Sequence, residues 1–384
     1  MPATSAPAPF AVLHVVDSLE RGGLERLVHD LAIAQHQAGW TVAVFSINQT
    51  EGYRASLEAA GVPVVVGHKQ GTLDLRVLRL LRQTIRRWGI TTVHAHNFVP
   101  SYYAAFATLC MRHRPAQVVT CHDMGTRLSH RRLRRLFEWS VGRSQAVAMV
   151  GRQVHERFVR DGIVPAAKAV TLLNAVPVAD FLITPERRQA AREALGLRPD
   201  DVVVGCVGRL VELKNHAALI RLWPQVLALQ ARARLVLIGE GPLREALTQQ
   251  AQALGLGDAV VFAGIRTDVA RLLPGLDVFA LPSFTEGVSI ALLEACATGL
   301  PALASRVGGN VEVIQDGDSG LLFDVTQDGE LHHALLRLLG PDAEGAALRQ
   351  RLGQRARVWV QEHASLDVLR EQYAALYERA RQRL

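Results

Sequence analysis

Two glutamates in the second half of the chain have a spacing that suits binding to hydroxyl groups around an anion. Glu286 and Glu294, with seven residues between them, flank the start of a predicted helix and lie on nearly the same face. The first backbone N–H groups of that helix, at Gly287, Val288 and Ser289, form an anion site. One carboxylate could then hold sugar hydroxyls and the other ribose hydroxyls, with phosphates between them.

Two basic residues follow an earlier strand of the same half. Arg209 comes directly after the strand-end glycine Gly208, and Lys214 follows five residues later. A guanidinium makes a forked contact and an ammonium acts as a point charge, so the pair suits a diphosphate. Three of the 43 basic residues are lysines, which favours a specific role for Lys214.

Histidines mark the ends of two predicted strands in the first half. His94 and His96 close one strand, and His122 with Asp123 closes the next. Ligand sites form at the carboxyl ends of parallel strands. These four side chains could also complete a metal ligand set, which would make the protein a metal-dependent hydrolase. The residues alone leave this alternative open.

A glycine pair after the first strand could bind an anion. Gly22 and Gly23 follow the first strand and open a helix, where backbone N–H groups can approach an anion. They do not form a G-x-G-x-x-G motif, which disfavours a dinucleotide oxidoreductase.

The Asp-Gly-Asp sequence at 316–318 resembles a metal-binding D-x-D, but it lies in a turn before the apolar run 321–323. We therefore predict a turn there and no metal requirement.

These residues need parallel strands to position them, and the chain predicts two sets. Short apolar runs alternate with helical segments in 1–178 and again in 201–364, which indicates two Rossmann-like, doubly wound α/β domains. The segment 179–200 is predicted to be a linker, and 365–384 an amphipathic helix. Open α/β sheets bind ligands at their strand ends, so we expect the domains to face an interdomain cleft.

Composition narrows the class of protein. The 384 residues are 49% hydrophobic and 21% charged, so the chain forms a packed core and is not disordered. Four dispersed cysteines without a C-x-x-C pair are typical of a reduced, cytoplasmic protein. No charge-free apolar stretch reaches the roughly 18 residues that a membrane span needs.

The charge is concentrated in the first half of the chain. Residues 1–178 hold 21 basic and 11 acidic side chains, a balance of +10, whereas the rest is net acidic and the total is +7. An anionic partner is therefore expected at the first half. An aromatic content of 5% without a recognised binding module argues against nucleic acid.

Two basic amphipathic stretches could contact an anionic membrane. In 76–88, apolar side chains lie opposite arginines, a pattern that also fits an ordinary helix covering the sheet. The stretch 129–144 combines Arg131, Arg132, Arg134 and Arg135 with Trp139 and is the better candidate for anionic lipid. We expect a cytoplasmic protein that lies peripherally on the inner face of the membrane.

Together these motifs resemble glycosyltransferase family 4, retaining nucleotide-sugar enzymes of the GT-B fold. The resemblance covers nearly the whole chain. It rests on the Gly22-Gly23 turn with Glu25, His122-Asp123, Gly208-Arg209 with Lys214, Gly239-Glu240-Gly241-Pro242, and the Glu286/Glu294 pair. One departure is Ala175 after Asn174, where the family has a glycine that allows positive φ.

The resemblance implies a role for each matching position. In the first half, Gly22 and Gly23 would face the donor phosphate and the acceptor, and His122 would line the reaction centre. In the second half, Arg209 and Lys214 would neutralise the diphosphate leaving group, and the N–H groups of Gly287, Val288 and Ser289 would bind the phosphates. Glu286 would bind sugar hydroxyls, and Glu294 would bind the ribose. The helix at 365–384 would return to the N-terminal domain.

We therefore expect a hexosyltransferase that uses a nucleotide diphosphate sugar, UDP-linked, and needs no metal or other cofactor. Its acceptor is expected to be a lipid-linked or polysaccharide intermediate, because the first half is basic. No carboxylate is clearly placed as a nucleophile, which favours retention by same-face attack over a covalent double displacement.

Overall fold

The computed structural model describes residues 10–20, 22–48, 51–122, 128, 130–340 and 342–384. They belong to two compact units: unit 1 comprises 1–174 with 366–384, and unit 2 comprises 175–365. No helix in the described ranges is long and apolar enough to cross a membrane.

Unit 1 contains a seven-stranded parallel sheet in the order β3-β2-β1-β4-β5-β6-β7. Its strands and first helices are β1 (Ala11–Val16), α1 (Gly23–Gln37), β2 (Thr41–Ser46), α2 (Arg54–Ala59), β3 (Val64–Val66), α3 (Leu75–Arg87), β4 (Thr92–His96), α4 (Phe98–Ala107), β5 (Ala116–Cys121), α5 (Arg131–Arg143), β6 (Ala146–Met149), α6 (Arg152–Arg160) and β7 (Ala169–Thr171). Both faces of the sheet are buried, because Leu13 and Val15 enter one core cluster and Val16 enters another with Val28 of α1. This burial explains the continuous apolar runs.

Unit 2 contains a six-stranded parallel sheet in the order β10-β9-β8-β11-β12-β13. Its elements are α7 (Pro185–Ala194), β8 (Val202–Val207), α8 (His216–Leu229), β9 (Ala233–Ile238), α9 (Arg244–Ala253), β10 (Val260–Gly264), α10 (Val269–Leu272), β11 (Val278–Leu281), α11 (Ile290–Thr298), β12 (Ala302–Ser305), α12 (Asn310–Val313), β13 (Gly320–Phe323), α13 (Asp328–Leu339) and α14 (Ala343–His363).

The last helix, α15 (Leu366–Gln382), returns to unit 1. Its buried face includes Leu369, Tyr373 and Tyr377, and it packs against α1 and β5. The apolar spacing read from the sequence therefore serves to bury this helix on the N-terminal sheet.

The two doubly wound Rossmann-like sheets confirm the predicted fold class. Strand β13 was not predicted, because its four residues follow a turn and carry no alternating pattern. The predicted linker 179–200 contains α7, whose Arg188 and Arg192 both bind the Asp277 carboxylate, so this segment is part of unit 2. Ala175 has a negative φ and needs no glycine there.

Each sheet reverses its strand order next to its first strand. In unit 1, β1 lies between β2 and β4, and in unit 2, β8 lies between β9 and β11. The helices on the two sides of such a point run on opposite faces of the sheet, which leaves the strand ends open to ligands. The ends of β1 and β4, and those of β8 and β11, therefore define the candidate sites within each unit.

Candidate active site

The loops after β8 and β9 in unit 2 lie against one another through glycine backbone. A Cβ on Gly239 would lie 2.0 Å from the Gly208 carbonyl oxygen, and one on Gly241 would lie 2.4 Å from the Leu210 carbonyl oxygen. Leu210 N–H donates to the Glu240 carbonyl at 3.0 Å. The Gly-Glu-Gly sequence is thus required for this close approach, which fixes the loop that carries Arg209.

Lys214 and Glu286 form an ion pair between the loops after β8 and β11. The Lys214 ammonium donates to Glu286 Oε1, and Ser283 Oγ donates to the same oxygen at 2.6 Å. Phe284 N–H donates to the Leu213 carbonyl at 2.9 Å, so the two loops are also joined through backbone. The Lys214 side chain remains 24% exposed, against 9% for Glu286, which leaves its charge accessible to an anion.

The start of α11 lies directly after this ion pair. Ser289 is the N-cap residue, and its side chain accepts from Leu292 N–H. Gly309 packs against this turn, since a Cβ on it would lie 2.5 Å from Gly287 backbone atoms, and its N–H donates to the Glu286 carbonyl at 3.2 Å. Val288 is buried, and Glu294 is half-buried on α11. The turn is therefore held rigidly at an N-terminus with positive partial charge.

Arg209 differs from Lys214 in having an exposed side chain. Within the described residues, no carboxylate or carbonyl oxygen pairs with its guanidinium. The loop that follows β8 therefore carries two different cations. Lys214 is fixed by its ion pair with Glu286, whereas the exposed Arg209 side chain is free to adjust to a ligand.

In unit 1, the Gly22-Gly23 turn is exposed and begins α1. Gly22 is extended, with φ −157°, and a Cβ on it would lie 2.3 Å from Glu25 Oε2. Glu25 is thus folded back over the first turn of the helix, and burial raises the pKa of its carboxyl group. The positive end of α1 is already partly neutralised by this carboxylate.

Three histidines of the neighbouring strands β1 and β4 form a buried cluster. His14 pairs with His94 in the β1–β4 register, and His14 Nδ1 lies 3.1 Å from His96 Nε2. His14 Nε2 donates to Gln35 Oε1 at 2.8 Å, so neutral His14 accepts at Nδ1 from His96. The cluster is a hydrogen-bonded part of the core.

His94 connects this cluster to helix α15. Its Nδ1 lies 2.7 Å from the Tyr377 hydroxyl, and its Nε2 lies 2.7 Å from Thr120 Oγ1, which in turn is 2.8 Å from the Tyr373 hydroxyl. Burial lowers the pKa of His14 to about 4 and holds that of His94 well below its usual value. These rings are therefore uncharged at neutral pH.

The arrangement favours a hydrogen-bond network over the metal site of the hydrolase interpretation. One ring nitrogen from each of His14, His94 and His96 lies within 4.8 Å of the others, which is close enough for a metal ion. However, both nitrogens of His94 are already bonded to hydroxyl groups. Asp123, the predicted fourth member of that ligand set, lies outside the described residues.

His122 lies apart from the three-histidine cluster, at the end of β5. Its ring centroid is 6.1 Å from that of His96, and its N–H donates to Asn97 Oδ1 at 2.8 Å. Burial lowers the pKa of His122 to about 4. Its Nε2 is buried without a hydrogen-bond partner in the described part of the chain.

Sequence reasoning missed several residues of these sites. His14 was overlooked, although its place in β1 pairs it with His94, and a strand alignment would have shown this. Ser283 and Asn97 carry no motif, and their roles depend on side-chain direction. The Asp-Gly-Asp sequence forms the predicted turn: Asp316 pairs with Arg306, and Asp318 pairs with Arg355.

Two family models match the chain. Glycosyltransferase family 4 matches residues 21–180, and glycosyl transferases group 1 matches residues 187–359. Together they cover both units apart from the ends and a short connection.

Individual proteins support this match. N-acetyl-alpha-D-glucosaminyl L-malate synthase of Bacillus anthracis is 26% identical over 307 residues, which is 79% of this chain and 78% of that protein. The GDP-mannose-dependent alpha-(1-6)-phosphatidylinositol monomannoside mannosyltransferase of Mycolicibacterium smegmatis is 34% identical over 216 residues, 53% of this chain and 56% of that protein. This chain thus spans little more than half the length of the mannosyltransferase.

A solved structure shows the same fold. Anabaena HepE in complex with UDP and glucose has a TM-score of 0.83 at 21% identity, covering 95% of this chain and 98% of that one. The two Rossmann-like sheets, the charged and histidine-lined strand ends, and the two family models agree. The chain belongs to glycosyltransferase family 4, and the protein is a glycosyltransferase with the GT-B fold.

Proposed function

We propose that the enzyme transfers a hexosyl group from a nucleoside diphosphate sugar, with UDP as the nucleotide, and that unit 2 binds this donor. The observation that carries the proposal is the Lys214–Glu286 pair directly before the N-terminus of α11. The mycobacterial relative is GDP-mannose-dependent, and HepE was crystallised with UDP and glucose. A nucleoside diphosphate is the chemistry that these two proteins share.

Cleavage of the anomeric C–O bond places negative charge on the leaving diphosphate. We assign Lys214 and Arg209 to that charge, together with the N–H groups of Gly287, Val288 and Ser289. Fixed positive groups stabilise developing charge because they need no reorganisation during the reaction. The same groups supply what a divalent metal would otherwise supply, so we propose a metal-independent reaction.

The two glutamates are assigned to hydroxyl groups of the donor. Glu286 Oε1 is occupied by Lys214 and Ser283, whereas Oε2 has no hydrogen-bond partner among the described residues. We assign Oε2 to the sugar and Glu294, on the same helix as the phosphate-binding turn, to the ribose. Glu286 then both orients Lys214 and reads the sugar.

We infer that the anomeric configuration is retained. In same-face attack, a donor phosphate oxygen takes the proton of the acceptor hydroxyl as the new C–O bond forms and the old one breaks. His122 is assigned to the donor sugar as a neutral imidazole, a role that its low pKa and unpartnered Nε2 support.

We propose that unit 1 receives a glycan or lipid-linked acceptor at the exposed Gly22-Gly23 turn. Helix α5 supplies the peripheral contact with an anionic membrane. Arg131, Arg132 and Arg135 are exposed on it. Trp139 is 37% exposed, and its ring packs against that of Phe106 in a tilted arrangement with the ring centroids 4.6 Å apart. A basic helix with a fixed aromatic side chain suits a lipid headgroup region.

The donor assignment is tested by a thermal-shift screen with UDP-, GDP- and ADP-sugars in the presence of chelator. We expect UDP-sugars to raise the melting temperature and the other two classes to have smaller effects. NMR of the product then reports the anomeric configuration. A shift confined to GDP- or ADP-sugars would refute the UDP assignment, and an inverted product would refute retention.

The membrane assignment is tested by liposome flotation. We expect binding to anionic vesicles at low salt and loss of binding when Arg131, Arg132 and Arg135 are all changed to glutamine. Replacement of Arg351 and Arg355, both exposed on α14, is the control. Equal flotation of the two variants, or no binding of the wild type, would remove α5 from the proposal.

A further inference from the structure

Asn97 has a backbone conformation that glycine normally adopts. It follows β4 with φ 66° and ψ −165°. Residues with a Cβ are rare in this region, and they persist there when the surrounding structure holds them and the site has a function. Three other non-glycine residues in the described ranges have positive φ, and of these His68 and Cys110 lie away from both candidate sites in sequence.

Asn97 is also the N-cap residue of α4 but does not cap it. An N-cap asparagine normally accepts from the N–H of the second or third helical residue. The third residue here is Pro100, which has no N–H, and the Asn97 side chain makes no bond to its own helix. Asp74 at the start of α3 does cap its helix, accepting from Arg76 N–H. The Asn97 amide is therefore available for another partner.

That partner is the strand end that carries His122. Asn97 Oδ1 accepts from His122 N–H at 2.8 Å, and Asn97 N–H donates to the Thr120 carbonyl at 2.8 Å. Asn97 thus binds both sides of Cys121, where β5 ends. The unusual backbone angles of Asn97 bring its side chain to this position.

We propose that Asn97 is a positioning residue for glycosyl transfer: its side chain fixes the backbone of His122, and so directs the imidazole Nε2 toward the donor sugar. This inference rests on the proposed role of His122. The strain at Asn97 and the proline that removes its capping partner are both explained by it. A residue that served only to stabilise the start of α4 would instead bond to α4.

Three variants separate positioning from stability. Asn97→Gly removes the Oδ1 acceptor and also relieves the backbone strain, so the melting temperature should stay the same or rise. Asn97→Asp keeps an oxygen acceptor for the His122 N–H. Cys110→Gly relieves positive φ near the other end of α4 and is the matched control. Each variant is studied as the full chain with ¹⁵N-histidine labelling and steady-state kinetics.

We expect Asn97→Gly to move or broaden the His122 ring signal, which is assigned by its loss in His122→Gln. Its kcat should fall by about 10-fold to 100-fold with little change in the KM for donor, because small displacements of a reacting group have large effects on rate. Asn97→Asp should keep kcat within about threefold of the wild type. Cys110→Gly should match the wild type in both measurements.

An unchanged His122 signal in Asn97→Gly would overturn the inference, whatever the rate. A changed signal with an unchanged kcat would also overturn it, because His122 would then be positioned without consequence for transfer. Failure of the wild type to transfer from any nucleotide sugar would refute the proposed function instead, and the His122 signal would still decide whether Asn97 fixes that residue.

Discussion

In unit 1, four histidines of β1, β4 and the end of β5 lie buried and uncharged, whereas the loops after β8 and β11 in unit 2 carry the Lys214–Glu286 pair and an exposed arginine. The two sheets have the same central strand order, so topology does not cause the difference. In unit 1 the polar side chains bond mainly to one another. In unit 2 they hold positive charge near solvent. The histidines His14, His94 and His96 therefore stabilise the core of unit 1, whereas the cations of unit 2 remain accessible to solvent.

The largest effect should come from breaking the charged cluster. Lys214→Ala should lower kcat by about 100-fold to 1,000-fold, the usual cost of losing one group that stabilises transition-state charge. Lys168 is the matched control, because its ammonium donates to the Gly142 and Ser144 carbonyls at 2.7 and 2.6 Å and so caps α5. Lys168→Ala should lower the melting temperature and leave kcat per folded molecule unchanged.

These two variants are compared by product release and thermal melting. Similar kcat values would show that Lys214, like Lys168, has a structural role, and would remove the contrast between the units.

Acid should affect the buried histidines of unit 1 next most strongly. The folded pKa of His14 and His122 is about 4, below the unfolded value of 6.5, so the native state binds fewer protons between these pH values. The free energy of unfolding should therefore be fully maintained above pH 6.5 and decrease as pH falls toward 4. Each histidine should contribute on the order of a few kcal/mol.

Urea unfolding at pH 7.5, 6 and 5 measures this dependence. His14→Gln cannot be protonated at that position, so its stability should change less with pH than that of the wild type. Parallel curves for the two proteins would contradict the assignment of His14 as a buried neutral group.

A smaller effect is expected from the tyrosines of α15. Tyr377→Phe leaves His94 Nδ1 buried without its hydroxyl partner and should cost about 1 to 3 kcal/mol of unfolding free energy. Tyr373→Phe leaves Thr120 bonded to His94 and should cost about 1 kcal/mol or less. Denaturant melts measure both. A larger cost for Tyr373→Phe than for Tyr377→Phe would show that the Tyr373–Thr120 hydrogen bond stabilises the protein more than the Tyr377–His94 hydrogen bond.

Metal removal should have the smallest effect. Both ring nitrogens of His94 are bonded to hydroxyls, and Lys214 and Arg209 are assigned to the diphosphate, so incubation with EDTA followed by desalting should leave transfer activity unchanged. Magnesium or zinc added back should not stimulate it. Loss of activity with EDTA and its recovery with metal would favour the metal-dependent interpretation, in which His94, His96, His122 and Asp123 bind the ion.

Much of the fold could be predicted from the sequence because buried parallel strands leave continuous apolar runs. The two sheets and the apolar face of α15 follow from this pattern. Strand β13 did not, since a four-residue strand has no period to detect. Segment 179–200 was expected to be a linker because its helix is polar, but buried Arg192 pairs with Asp277 across the unit.

The identity of several site residues could be predicted from motifs in the sequence. Their side-chain partners could not, because these depend on how distant segments pack together. Glu286 and Lys214 were each singled out from the sequence, but their ion pair depends on how two loops meet. His94 was singled out as a ligand, yet its hydrogen bonds reach Tyr377 in the last helix. Asn97 has no motif at all, because its role arises from backbone angles that sequence spacing does not encode.

The most direct test of the contrast between the units is calorimetric titration of UDP into the wild type, Lys214→Ala and Lys168→Ala, all in chelator. We expect UDP to bind the wild type and Lys168→Ala with the same affinity. It should bind Lys214→Ala at least about 10-fold more weakly, because a charge-assisted contact is lost. Equal affinity for UDP in all three proteins would contradict the assignment of the β8 and β11 strand ends to the donor diphosphate.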